Sequence, residues 1–403
     1  MSYLFYLIGI ALTLVTLPGT IELALLTLGA LQLSGPVRKR GTSPGERREN
    51  ASADKKSPIT RLAIVVPAHN EIASIADCVR SLSRCDRPTT LDAANIIVIA
   101  DNCTDQTAKL ASRAGAKVIE RRDSQRRGKG FALQFAFAKL LGERFDAVLV
   151  VDADTVVERS LLTEVVRLFD QGADGVQARY LPLDVTDSPR ARLRNVALMA
   201  FNFLRPFARD RLGMSCGITG NGFALRRETL EAVPYKADSI VEDLEYHVSI
   251  VRAGLRIRFA SATSVRAPVP VSGVAARTQR ARWEGGRARI IGKYAPALAS
   301  EVVHNSRLLE PLLELLLLPL ALHVSLLVGG LAIPFFPGQI YSAFALALVG
   351  LHVALAVKLG GRSWADLSGL VAVPAYLAWK VSLIAPTLRS TRSSSEWRRT
   401  ERQ

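Results

Sequence analysis

Residues 147–157 read AVLVVDADTVV. Five apolar residues, Ala147 to Val151, run straight into Asp152 and Asp154, and Val156 and Val157 follow. A short, valine-rich apolar run suits a strand of a parallel sheet that is covered on both faces. Ligands of such sheets bind outside the carboxyl ends of the strands. Two carboxylates in that place can hold a divalent metal through their oxygens. They can equally open a turn before the helix that follows Ser160. The rest of the chain has to choose between these readings.

Outward from this run, RLAIVV (61–66), NIIVIA (95–100) and AKVIE (116–120) read as further strands. Between the first two, Ile72, Ile75, Ala76 and Val79 recur at helical spacing. Strands alternating with helices from 61 to 265 predict an α/β domain on a mostly parallel sheet. The first strand runs into VVPAHNE (65–71), not into the glycine-rich turn of a dinucleotide-binding domain. RRGKGF (126–131) lacks the first glycine and the hydroxyl of a P-loop. DADTV also resembles the nucleophile motif of haloacid-dehalogenase-type phosphatases. That family carries its nucleophile on the first strand, and here three strands precede it.

Further stretches carry chemistry. IADNCTD (99–105) ends the second strand with acids, although Asp101 and Asp105 are also ordinary turn residues. RRGKGFAL (126–133) offers cations and glycine amides ahead of a helix, which suits a diphosphate. SIVEDLEYH (239–247) supplies a second acidic cluster, or simply a helix start where acids are favoured by the dipole. GITGNGFALRR (217–227) lines an acceptor pocket or forms a glycine-rich turn. QRARW (279–283) places Gln279, Arg282 and Trp283 within one and a half helical turns.

Taken in order, these motifs resemble the membrane-anchored family-2 glycosyltransferases, including cellulose-synthase-like enzymes. The pattern is an acid after the second strand, a D-x-D, an acid within E-D, and Q-x-x-R-W. It corresponds to Asp101, Asp152/Asp154, Asp243 and Gln279/Arg282/Trp283, and covers roughly 61–290. Two departures stand out: ADNCTD replaces the usual double Asp followed by Gly-Ser-Thr, and VED replaces the commoner TED.

The resemblance implies an α/β GT-A catalytic domain, Rossmann-like with a mostly parallel sheet, and flanking transmembrane helices. It implies a nucleotide-diphosphate sugar donor, a UDP-sugar first, and manganese or magnesium as cofactor. Glu71, Asp101, Lys129, Asp152, Gln279 and Arg282 then face the donor, and Asp154 with Asp152 holds the metal. Asp243 is the general base in a single inverting displacement. Trp283 walls the acceptor sugar, with Gly220, Asn221 and Glu242 expected beside it. The acceptor is a glycan or a lipid-linked species of the polyprenyl-phosphate or ceramide kind. A rival of another class is a non-catalytic membrane protein that keeps a donor-binding domain for regulation. His69 and His247 are read as supporting or surface residues.

Composition sets the surroundings. The 403 residues are 49% hydrophobic with mean hydropathy +0.19, which points to membrane segments. The formal charge is +16, and much of it flanks the apolar stretches, which favours membrane lipids over nucleic acid as the partner. The four cysteines show no C-x-x-C spacing, so structural zinc is not expected. Residues 3–33 are apolar apart from Glu22, with basic residues after them and not before, as in a signal anchor with its N-terminus outside. Residues 312–333 and 339–357 read as two further spans, and 367–386, with Lys380 and two prolines, as interfacial. The expected organisation is an anchor at 1–34, a basic linker at 35–60, a catalytic domain at 61–300, membrane segments at 301–388 and a basic tail at 389–403. The catalytic domain and tail are expected in the cytosol, at a bacterial inner membrane. Residues 188–212 join an apolar core to arginines. They suit an amphipathic helix on anionic lipid, a cover over a lipid-linked or polymeric acceptor, or a helix packed on the sheet.

Overall fold

The computed structural model describes residues 2–31, 56–183, 188–236, 242–268, 286, 289–361 and 363–376. The chain divides into two compact units. One comprises 36–184 and 213–269, the other 1–35, 185–212 and 270–403. Residues 188–212 and 289–300, expected within the catalytic domain, therefore group with the apolar helices.

The first unit is an α/β layer structure. Its strands are β1 (Arg61–Ala68), β2 (Ala93–Asp101), β3 (Lys117–Arg121), β4 (Ala147–Val150), β5 (Val156–Val157), β6 (Gly175–Pro182), β7 (Phe223–Arg226) and β8 (Ile257–Ala267). They form one sheet in the order β3-β2-β1-β4-β7-β6-β8-β5. The half from β3 to β4 is parallel. β7 runs against both β4 and β6, and β5 runs against β8.

The opening stretch behaves as its composition dictates: every residue of β4 is buried. Alternation divides β1 between two faces. Leu62, Ile64 and Val66 join a core with Ile75, Val79, Leu149, Leu161 and Phe169, while Ala63 and Val65 are buried outside that cluster. The helix Lys129–Leu141 packs on β1 and β2 through a stripe that includes Ala132, Leu133, Ala136 and Phe137. Because β1 lies between β2 and β4, the loops after these strands emerge side by side. That puts the residues following Ala68, Asp101 and Asp152 at one edge of the sheet.

The second unit is helical. Ser2–Leu31 and Phe336–Leu359 are long and apolar enough to cross a membrane. The expected span 312–333 is broken. Ser306–Leu316 and Leu320–Ala332 meet at 78°, with Pro319, which lacks an amide donor, at the break. Residues Trp364–Ala372 form a 3₁₀ helix, and 377–386 lie outside the described residues. The arginine-bearing stretch is helical over Pro189–Arg211, with a π-helical turn at Ala200–Leu204, and packs on the N-terminal helix and on Trp364–Ala372.

Burial in this unit explains the one acid of the N-terminal helix. Glu22 is 4% exposed and pairs with Arg205 at 3.0 Å and Arg209 at 2.7 Å. Arg209 also meets Glu310 at 3.0 Å and Glu314 at 3.1 Å. Charges removed from water persist only when paired in this way.

Candidate active site

Val151 still bonds the sheet, its N–H donating to the Val65 carbonyl at 3.0 Å, so the chain leaves β4 at Asp152. The D-x-D turn closes with the Thr155 N–H on the Asp152 carbonyl at 3.1 Å. Asn221 brackets it from β7's side. Its Oδ1 accepts from the Asp152 N–H at 3.1 Å, and its Nδ2 donates to Thr155 Oγ1 at 2.9 Å. With Asn221 only 4% exposed, its amide serves the shape of this turn.

Gly220 is where the site closes up. Its φ of +78° suits glycine, and a Cβ there would lie 3.2 Å from Asp243 Oδ2 and 3.7 Å from Lys129 Nζ. Lys129 opens its helix, donates to the Gly220 carbonyl at 2.5 Å and pairs with Asp152. Burial pushes the Lys129 ammonium down, but Asp152, Glu242 and Asp243 more than offset this and hold its pKa above the usual lysine value. One cation thus faces three acids.

Asp243 sits in the first turn of the helix Glu242–Arg252. Its Oδ1 accepts from the Leu244 N–H at 2.8 Å, while Oδ2 is the oxygen beside Gly220. The helix is fixed by Tyr246, whose hydroxyl donates to the Val233 carbonyl at 2.8 Å. His247 adds a bond between its Nε2 and Ser215 Oγ at 2.8 Å. Burial raises the Asp243 pKa, and burial together with Asp243 pushes Glu242 up to about 7.

The loops after β1 and β2 are laced together. Asn70 Nδ2 donates to Thr104 Oγ1 at 3.0 Å, and its Oδ1 accepts from the Thr104 N–H at 2.8 Å. Asn102 has φ +50°, a left-handed conformation that asparagine tolerates, at the position where the family pattern carries glycine. Asp105 accepts from the N–H and hydroxyl of Thr107, so it is the turn residue that composition allowed. Asp101 is different. It is buried at the end of β2 and bonded by Arg121, with His69 Nδ1 at 2.7 Å from its backbone carbonyl. Glu71 accepts from Ser74 Oγ at 3.2 Å on the neighbouring loop.

Two groups enter the site that the motifs did not announce. Cys78 lies under the D-x-D, its Sγ donating to the Asp152 carbonyl at 3.4 Å. Burial first, then Asp154 and Asp152, push its thiol far up. Arg121, at the end of β3, is buried against Asp101. Among the described residues no group of three or more metal-ligating side chains occurs. Asp152 and Asp154 fit a hard divalent ion by their oxygen donors, and such a pair leaves most coordination positions to ligand oxygens and water. Gln279, Arg282 and Trp283 lie outside the described residues.

Comparison with known proteins agrees with this geometry. Probable glycosyltransferase YdaM of Bacillus subtilis (strain 168) is 25% identical over 245 residues, 59% of this chain and 57% of that protein. Glycosyltransferase AglD of Haloferax volcanii is 30% identical over 230 residues, 53% of this chain and 34% of that protein. The chain therefore spans little more than half of the first relative and a third of the second. The solved mannosyltransferase PcManGT from Pyrobaculum calidifontis, in complex with GDP-Man and Mn2+, shares 21% identity with a TM-score of 0.51. The match covers 93% of this chain and 99% of that one, a likeness of fold. The sheet, with its D-x-D after β4, is the expected GT-A arrangement, not that of a phosphatase. The model of the Glycosyltransferase like family 2 matches residues 59–286, more than half of the sequence, and the chain belongs to that family.

Proposed function

We propose that this chain is an inverting, metal-dependent glycosyltransferase. It moves a sugar from a nucleoside-diphosphate sugar, a UDP-sugar first, to a glycan or lipid-linked acceptor at the inner face of a bacterial membrane. The observation that carries this reading is the convergence of Asp152, Lys129 and Asp243 on Gly220. Lys129 supplies positive charge where a diphosphate must depart. Asp243 accepts the proton of the acceptor hydroxyl as that oxygen attacks the anomeric carbon and the bond to the diphosphate breaks. A single displacement with inversion, with Asp243 as the base, follows from the resemblance to the family. Asp154 and Asp152 would hold a manganese or magnesium ion, which would supply Lewis-acid neutralisation of the leaving diphosphate. Screening the purified protein for release of free nucleoside diphosphate across nucleotide sugars, with manganese present, tests the whole reading. No release with any donor would leave the non-catalytic rival standing.

The site carries a pH signature. Burial pushes Glu242 up to about 7 and holds Asp243 above the usual aspartate range, so both take up protons at a higher pH than exposed carboxyls do. A protonated carboxyl cannot accept the acceptor's proton. The pair titrates jointly, and kcat/KM is expected to drop about tenfold per pH unit on the acid side, beginning at a higher pH than an exposed aspartate would give. A flat profile down to about pH 5 would exclude the pair as the base.

The membrane arrangement is also testable. With the N-terminal helix, the bent pair and Phe336–Leu359 each crossing once, both the catalytic domain and the C-terminus face the cytosol. The five arginines from Arg389 to Arg402 favour that side. A reporter fused after Gln403 is expected to read cytosolic. An external signal would mean that the bent pair re-enters or that 367–386 crosses.

A further inference from the structure

Asn221 has no role in the reaction set out above, yet its buried side chain braces both acids of the D-x-D. The Asp152 N–H donates to its Oδ1 at 3.1 Å, and its Nδ2 donates to Thr155 Oγ1 at 2.9 Å. A hydroxyl has one proton to give. With Nδ2 on its oxygen, buried Thr155 turns that proton towards Asp154 Oδ1, 3.5 Å away. One amide thus fixes the backbone of the first acid and, through one hydroxyl, the carboxylate of the second. The loop that carries Asn221 is held by other groups. Gln177 on β6 donates from Nε2 to the Asn221 carbonyl at 2.8 Å and the Ala178 carbonyl at 2.9 Å, and its Oε1 accepts from the Thr219 N–H at 2.9 Å. The Gly222 N–H donates to the Val150 carbonyl at 3.0 Å, and the Gly222 carbonyl accepts from the Ala178 N–H at 2.8 Å. None of these bonds uses the Asn221 side chain, whose two polar ends both go to the D-x-D turn.

We infer that Asn221 is a positioning residue that sets the affinity of the D-x-D for its divalent metal. This rests on the proposed role of Asp152 and Asp154 as ligands and goes beyond it to a side chain that supplies no ligand. Two aspartates chelate one ion only while their oxygens converge on one point. An unbraced aspartate samples several rotamers, so the pair must be ordered when the ion arrives, and affinity falls by that lost entropy. Hydrogen bonds from outer residues remove this freedom in advance, and losing one typically costs about 10–100-fold in metal affinity. Gly220 extends the effect. It directly precedes Asn221 and its carbonyl accepts from Lys129, so the brace keeps the lysine and the two acids in one frame. An asparagine that served folding alone would behave differently. Its loss would lower the folded fraction and leave the metal affinity of the folded protein unchanged.

The test is equilibrium binding of manganese to the full-length protein in the presence of UDP, read from the electron paramagnetic resonance of the free ion. The chains compared are the unaltered protein, Asn221→Ala, Thr155→Val, Thr155→Ser and the double variant Asn221→Ala/Thr155→Val. Asn221→Ala is expected to raise the manganese Kd about 10–100-fold, and excess manganese should restore UDP binding. Thr155→Val keeps the volume and the Asp152 N–H bond but breaks the route to Asp154, so its Kd should rise by less. Thr155→Ser keeps the hydroxyl and should recover most of the affinity. The double variant should bind no worse than Asn221→Ala alone, because both changes cut the same route. If Asn221→Ala does not fold, as judged by circular dichroism, the comparison of Thr155→Val with Thr155→Ser is decisive. Folded variants with the unaltered manganese affinity, or a loss of UDP binding that excess manganese does not restore, overturn the inference and leave the proposed function intact. An unaltered protein that binds no manganese overturns both the inference and the metal role.

Discussion

Asp243→Asn is expected to lower the transfer rate by about 10²–10⁴-fold at saturating donor and acceptor, the usual contribution of a positioned general base. A sugar hydroxyl is a poor nucleophile unless its proton leaves as the new bond forms. Asn keeps the size of the side chain and removes its basicity, so the helix start and the Leu244 contact stay plausible in shape while the proton acceptor is gone. Donor affinity should hardly change, because the cation proposed to face the diphosphate is Lys129, whose ion-pair partner is Asp152. Burial makes Asp243 a stronger base than an exposed aspartate. Glu242 is the rival, similarly buried and raised to about 7. Near-normal turnover in Asp243→Asn with a collapse in Glu242→Gln would move the role by one residue. Loss of donor binding in Asp243→Asn would instead assign it to the nucleotide side.

The parallel half of the fold was legible because its strands are covered on both faces and so read as unbroken apolar runs, β4 above all. The antiparallel half was not. β5 is two residues long and β7 four, too short for any periodicity to register. β7 also ends in Arg226, a charged residue only 1% exposed. Its guanidinium is satisfied by the carbonyls of Ala173, Ser57 and Phe169, partners that no local pattern announces. The same limit applies at the site. Asp101, Asp152 and Asp243 stand at strand or helix ends, where a lone acid after apolar residues draws notice. Arg121 hides in a basic run, and its burial follows from the pairing of β2 with β3. Asn221 sat in a stretch that read as a glycine-rich turn or an acceptor wall, and the register that puts Phe223 beside Val150 turns its amide to the D-x-D. Glu22 is the one acid in an apolar run, and its partners Arg205 and Arg209 lie far off in the sequence.

Asp154→Ala and removal of divalent metal by chelation are each expected to abolish measurable transfer and to weaken UDP binding together. Asp152 and Asp154 lie on one tight turn whose backbone is held by Asn221, Thr155 and the Cys78 thiol, so the two carboxylates are presented by a rigid support. Their oxygens are the donor type that manganese and magnesium take. The departing diphosphate carries more negative charge than Lys129 alone balances, and Lys129 is already shared with Asp152 and the Gly220 carbonyl. Neutralisation by a bound metal is worth several kcal/mol, so its loss corresponds to a fall of at least about 100-fold in rate. The two variants of the turn should separate. Asp154→Ala removes one of the two carboxylates of the turn, leaves the Lys129–Asp152 ion pair in place and should make UDP affinity nearly independent of manganese. Asp152→Asn should also release Lys129 from its ion pair, and so lose metal dependence while keeping part of the affinity for UDP. Calorimetry of UDP binding with and without manganese distinguishes these outcomes without recourse to turnover. Full transfer by a metal-free preparation in excess chelator would sink the metal role, and would leave Lys129 with the remaining cations of the site as the sole counter-charge to the diphosphate.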